Sequence, residues 1–164
     1  VVSTTAWDVA AATPDPEMPM LTLADLGILR AVEDEQGTTV ATITPTYSGC
    51  PAMREIGRDI VHRLTSAGYP DVRVRTQLSP AWSSDWITPD GRRKLAAAGI
   101  APPAAAPLRT GPAPLTLIAR PTPVACPLCG SPATTRTAGF SGTACKALYR
   151  CDACAEPFEY VKEI

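Results

Sequence analysis

The clearest periodicity in the chain runs from Pro51 to Gly68. Met53, Ile56, Ile60, Val61 and Leu64 fall on one face at helical spacing. Gly68 ends the run and Pro70 bars a restart. Strand patterns lie on either side. Thr38–Thr44 is rich in β-branched residues. Asp71–Leu78 alternates, with Val72, Val74 and Leu78 on one side and Arg73, Arg75 and Gln77 on the other, the pattern of a half-buried strand. The run Glu33–Gly37 has the composition of a hairpin turn and joins Thr38–Thr44 to a strand near Ile28–Val32, which opens after Gly27. Thr13-Pro14-Asp15-Pro16-Glu17 reads as a helix entry, with a capping Thr or Asp, prolines in the first turn and acidic residues near the positive helix end. Residues 1–12 read as a flexible tail. Asp85–Ala98 reads as one or two short helices, with a restart at Pro89-Asp90-Gly91.

The pattern changes at Ala101. From there to Pro123 the chain holds seven prolines and six alanines in 23 residues, the make-up of a stiff, extended linker. Leu115–Ile118 within it reads as an edge strand. Beyond it, Val124–Ile164 is short enough to need a metal or disulfides to fold alone. Two Cys-x-x-Cys pairs supply the means: Cys126 and Cys129, then Cys151 and Cys154, with 21 residues between the pairs. Strands are expected at Thr134–Phe140, Ala147–Arg150 and Pro157–Val161. The predicted class is α+β: a small sheet with packed helices over residues 13–100, followed by a small zinc-ribbon (rubredoxin-like) β domain over 124–164.

Four thiolates suit a closed tetrahedral site, and such sites are structural by rule. Zinc and iron both fit four sulfurs; the expectation is one structural Zn²⁺, with a redox iron or a bare dithiol as the rivals. Paired thiols point to metal and to a reducing cytoplasm rather than to disulfides. Cys145 lies outside both pairs and reads as a buried small side chain, with an exchangeable ligand as the alternative. From Val124 onward four basic residues face four acidic ones, and the whole chain carries a net charge of −1, so no nucleic-acid partner is expected. The longest uncharged run, Gln36–Met53, is rich in Thr, Gly and Pro and does not read as a membrane span, and no secretory signal is expected.

Cys50 lies in Pro45-Thr46-Tyr47-Ser48-Gly49-Cys50-Pro51, between a strand and the main helix. With Pro51 as the first helical residue, Cys50 is placed at the N-cap, where unpaired amides and the helix dipole favour a thiolate. Read from the residues alone, it is either a reactive thiol or packing, and Asp15 and Glu17 are either site groups or helix-start charges. His62 sits opposite the apolar stripe, on the solvated face. Trp82 and Trp86 read as core and edge covering, with partner docking as the alternative.

Asp15-Pro16-Glu17, Asp25-Leu26-Gly27, the Pro45–Pro51 loop and Ser79-Pro80-Ala81-Trp82 together resemble the small α+β domain of SufT-type and eukaryotic cytosolic iron–sulfur assembly factors. The run Asp85–Gly91, the stretch ending Ile100-Ala101-Pro102-Pro103, and Thr143–Cys151 with Glu156-Pro157-Phe158 resemble the PaaD family of accessory proteins of phenylacetyl-CoA epoxidase. Val161-Lys162-Glu163 stands where that family often has Phe-Lys-Cys, and Phe140-Ser141-Gly142 where it has Phe-Gly-Ser. The resemblance implies a non-enzymatic accessory role in aerobic phenylacetate breakdown, assisting iron–sulfur assembly for the reductase component of an oxygenase. It implies Asp15, Glu17, Thr46 and Cys50 as the site. One thiol does not hold a cluster, so a transient cluster would share ligands across a homodimer, with an oxygenase or reductase component, or with a thiol cofactor. A structural component of the oxygenase without cluster transfer is the alternative.

Overall fold

The computed structural model describes residues 5–104 and 123–164. The expected edge strand at Leu115–Ile118 lies outside the described residues. The chain forms two compact units, Val1–Lys94 and Leu95–Ile164, in a mixed α+β architecture.

The first unit opens on α1 (Ala6–Ala11), so residues 6–11 are helical where a flexible tail was expected. A reciprocal capping box explains it: Thr5 accepts from the Asp8 amide and Asp8 accepts from the Thr5 amide. The expected helix entry at Thr13–Glu17 does not form. Pro14 and Pro16 hold Thr13 and Asp15 extended, and Asp15 Oδ1 instead accepts from the amides of Glu17 and Met18 at 2.9 and 2.8 Å, closing a turn. The loop that follows buries Leu21, Leu23, Leu26 and Ile28.

Strands β1 (Leu29–Glu35) and β2 (Thr38–Ile43) form an antiparallel hairpin. Its two-residue turn places Gln36 and Gly37 at φ 57° and 90°, the double left-handed geometry that matches strand twist. Strand β3 (Val72–Thr76) adds parallel to β2, giving the order β1-β2-β3. The connection between β2 and β3 is α2 (Met53–Ser66). Ile56, Ile60 and Leu64 are buried, each worth about 1.5–3 kcal/mol of apolar transfer. Val61, expected on the same stripe, is exposed, and so is Leu78 beyond β3. His62 is exposed, as its helical position predicts.

Asp25 ties the long loop to the end of this unit. Its Oδ2 accepts from the Thr22 amide at 2.9 Å and from Lys94 Nζ at 2.8 Å. Lys94 belongs to α3 (Pro89–Ala97), which follows a 3-10 turn at Ser84–Trp86. Trp82 is buried and donates from Nε1 to the Leu26 carbonyl at 2.9 Å, and Arg30 lies 3.7 Å over the Trp86 ring. Gly27 is required here: its φ is +66°, and a Cβ would come within 2.6 Å of Trp86 Cβ.

The second unit is a four-stranded sheet in the order β4-β7-β6-β5, with β4 at Ile100–Ala101, β5 at Thr134–Ala138, β6 at Lys146–Cys151 and β7 at Pro157–Val161. Only the β4–β7 pairing is parallel. Its core is small: Ala101, Val124, Cys126, Ala147, Cys151, Phe158 and Tyr160, with Tyr149 packed against it. Lys146 is buried and pairs with Glu159 at 2.8 Å.

Burial pushes the Asp25 carboxyl up, but the Lys94 ammonium and the Thr22 donors hold it below its ordinary 3.8. A depressed carboxylate stabilises the fold above its unfolded pKa, and that contribution is lost as pH falls through the folded value. Asp25→Asn is therefore expected to cost about 1–2 kcal/mol at neutral pH. Denaturant titrations of the first unit from pH 7 to pH 3 should show the gap between wild type and variant closing below pH 4.

Candidate metal centre

The two Cys-x-x-Cys segments fold as the same turn used twice. The Cys126 amide donates to the Ser131 carbonyl and the Cys151 amide to the Glu156 carbonyl, both at 2.9 Å and both across five residues. The fifth residue of each turn sits in the left-handed region: Gly130 at φ 75° and Ala155 at φ 65°. The sequence pattern Cys-x-x-Cys-Gly and Cys-x-x-Cys-Ala conceals this equivalence. The fold bends the second turn as sharply as the first and places an L side chain where glycine is favoured, at about 1–2 kcal/mol.

The turns bring four sulfurs together. The ligand atoms of Cys126, Cys129, Cys151 and Cys154 all lie within 4.8 Å of one another. Cys126 to Cys154 measures 3.9 Å and Cys129 to Cys151 3.5 Å. A tetrahedral ion with metal–sulfur bonds of about 2.3 Å sets its sulfurs about 3.8 Å apart, a spacing close to that of the two measured pairs. One cysteine of each pair is buried, Cys126 and Cys151, and one is exposed, Cys129 and Cys154.

The electrostatics divide the thiols. Amides of Cys154 and Ala153 point at the Cys151 sulfur and, against burial, lower it to about 7. At Cys154 the Glu156 amide pulls down, but burial and the neighbouring sulfurs of Cys151, Cys129 and Cys126 outweigh it and push the thiol up to about 12. Cys129 is likewise raised over the lowering effect of the Ser131 amide. Thiols this close compete for one negative charge; a divalent cation removes the competition and binds all four as thiolates. The protein then supplies every ligand, and the site is closed to substrate.

The remaining expected positions lie apart from this cluster. Cys145 is buried, with Thr143 Oγ1 3.1 Å from its sulfur. Cys50 is half-buried, but it is not the N-cap: α2 starts at Met53 with Ala52 as its cap, which offers no side-chain bond. Pro51 and Ala52 form a turn instead of the first helical positions. The Cys50 carbonyl accepts from the Met53 amide at 3.4 Å, and the Cys50 amide donates to Tyr47 O at 3.1 Å. The thiol thus stands two residues ahead of the helix end expected to stabilise it. It borders a depression of about 730 Å³ lined also by Arg54, Glu55, Arg58 and Asp59. Thr46 is half-buried at the start of that loop, Glu17 is exposed, and the Asp15 carboxylate is committed to its turn.

Residues 110–162 match the family described as PaaD zinc beta ribbon domain, and residues 11–75 match that described as iron-sulfur cluster assembly protein. A relative from Escherichia coli (strain K12), named as a subunit of 1,2-phenylacetyl-CoA epoxidase, is 45% identical over 156 residues, covering 95% of this chain and 90% of its own. Among solved structures, a domain of unknown function from Bacillus anthracis is 26% identical with a TM-score of 0.48, covering 55% of this chain and 87% of its own. A Mycobacterium tuberculosis protein, described as associated with Fe-S complex assembly and repair, is 33% identical with a TM-score of 0.33, covering 56% of this chain and 78% of its own.

Two measurements check the centre. Elemental analysis should find one metal ion per chain, and a chelator strong enough to remove it should unfold the second unit while the circular dichroism of α2 persists. Ala155→Gly should raise the stability of the metal-loaded ribbon by up to about 1 kcal/mol, after the larger unfolded-state entropy of glycine is allowed for, and Gly130→Ala should lower it by a similar amount.

Proposed function

The chain belongs to the PaaD family, and on that premise we propose that it is an accessory component of a multicomponent phenylacetyl-CoA epoxidase that assists iron–sulfur cluster assembly or transfer to the reductase component. The observation that carries this reading is one chain joining an iron–sulfur assembly domain to a PaaD ribbon, with a relative named for the epoxidase matching along nearly its whole length. The ribbon site, in this reading, holds one structural Zn²⁺ and does no chemistry, because all four of its ligand positions are filled by protein sulfur. The cluster is cargo, and Cys50 is the thiolate that grips it in passing. This reading also assigns Asp15, Glu17 and Thr46 to the site. A cluster takes about four cysteine ligands, so the others come from the client, a thiol cofactor or a second copy of the chain. Such exchange swaps one thiolate for another and needs no oxidant. The chain is then a maturation factor, not a catalyst, working in a reducing cytoplasm. Among the described residues no helix is long and apolar enough to cross a membrane.

A second reading, a structural component of the epoxidase without cluster transfer, draws on the position of Cys50. Two residues ahead of the N-cap, it gains less from the helix end than an N-cap thiol would. Cys50→Ala separates the two readings. Cluster transfer predicts a folded, zinc-loaded variant whose host cells hold reductase with several-fold less iron and sulfide. Reductase with a full cluster complement in those cells would leave only the structural reading. Purified wild type should be colourless with zinc at one per chain; a red, iron-containing ribbon would overturn the zinc assignment.

A further inference from the structure

The free edge of β3 is built to accept another strand. In the order β1-β2-β3, no strand among the described residues pairs with β3 on its outer side. The bonds to β2 show which backbone groups face outward. Asp71 O accepts from Thr39 N and Gln77 N donates to Ile43 O, both at 2.8 Å. Backbone direction alternates along a strand, so residues 71, 73, 75 and 77 bond inward. Val72, Val74 and Thr76 therefore present both N–H and C=O at the open edge.

The same three residues turn their side chains toward α2. Val74 Cγ1 lies 3.9 Å from where a Cβ on Gly57 would stand, so the glycine leaves a channel between helix and strand. That channel, about 690 Å³, has Ile43, Val61 and Val74 among its apolar lining. Its charged lining is Arg54 and Arg58, with His62 beyond, and no carboxylate. Both arginines are exposed and also border the Cys50 depression.

A second copy of the chain does not suit this edge. Any two-fold antiparallel register that pairs at least two of the three outward residues sets Arg73 or Arg75 opposite an arginine of the other copy on the far face, and like charges directly opposed destabilise a ladder. The complement is an extended segment of a different protein, carrying apolar side chains for the channel floor and carboxylates for Arg54 and Arg58.

We propose that the β3 edge and the α2 channel form a docking site for an extended acidic and apolar strand of a partner protein, which joins the sheet by main-chain bonds. This holds whether or not Cys50 transfers clusters. The test uses the full metal-loaded chain and an eight-residue peptide, Thr-Val-Thr-Glu-Thr-Val-Thr-Glu, whose valines and glutamates share one face of a strand, with a peptide carrying lysine in place of glutamate as control. Amide hydrogen exchange of the chain alone should show Arg73 and Arg75 protected and Val72, Val74 and Thr76 open. The glutamate peptide at millimolar concentration should slow those three amides at least tenfold, and the lysine peptide should not. Thr76→Pro removes an outward N–H that bonds nothing in the sheet and is expected to abolish the effect. Arg58→Glu, on the helix surface, should weaken peptide binding at least tenfold without touching the strand. The proposal is overturned by protection of the three amides in the chain alone, by protection that rises with chain concentration, by no slowing with the glutamate peptide, or by slowing that Arg58→Glu leaves unchanged.

Discussion

Four cysteine sulfurs held within 4.8 Å of one another are the constraint on which the C-terminal half of this protein depends. Such a group does not ionise fully on its own, and its thiols are spread from about 7 at Cys151 to about 12 at Cys154. A bound cation resolves the conflict and makes metal affinity part of the folding free energy. The ribbon needs that contribution because its core consists of a few side chains around Phe158 and Tyr160, two of them the metal-binding Cys126 and Cys151. It even tolerates Ala155 in a glycine conformation to close the second turn. The first unit shows no such cluster among its described residues. It rests on the buried face of α2 and on Asp25, which draws the long loop and α3 together.

This division of labour shapes the functional account. In the proposed function the ribbon is architecture, because a site whose every coordination position is protein sulfur offers nothing to a substrate. The same proposal assigns the chemistry to the first unit, where the Cys50 loop meets the start of α2. Arg54 and Arg58 border both that loop and the channel beside β3. A partner segment lying in the channel would meet the same two arginines that border the Cys50 depression.

The ribbon is the most legible part of the chain. Cysteine spacing locates the site, and β-branched and aromatic runs locate β5, β6 and β7 to within a few residues. The main helix and the hairpin are legible for similar reasons, a long apolar stripe and a turn of charged residues closed by glycine. The failures have local causes. The capping box that starts α1 uses Asp8 in place of the more familiar Glu and leads only six helical residues. Pro14 and Pro16 resemble helix-start prolines, yet two prolines in alternate positions hold the chain extended. Val61 shares the helical spacing of Ile60 and Leu64 but points into an open channel, which periodicity does not reveal. Pro51 suits a first helical turn and so suggests Cys50 as the N-cap; the chain spends Pro51 and Ala52 on a turn and begins the helix later. The Asp25 network is invisible in the sequence because its partners are distant along the chain, although Thr22 and Asp25 have the spacing of a local cap.

The proposed function assigns four thiolates to a closed metal site in the ribbon and ligand exchange to a fifth thiol, Cys50. Alkylation of the metal-loaded protein by iodoacetamide at neutral pH, read residue by residue by mass spectrometry, tests it most directly, with buried Cys145 as an internal control. The account predicts rapid labelling of Cys50, protection of Cys126, Cys129, Cys151 and Cys154, and retention of the metal throughout. Ribbon thiols that react as fast as Cys50, or a Cys50 as unreactive as Cys145, would contradict it.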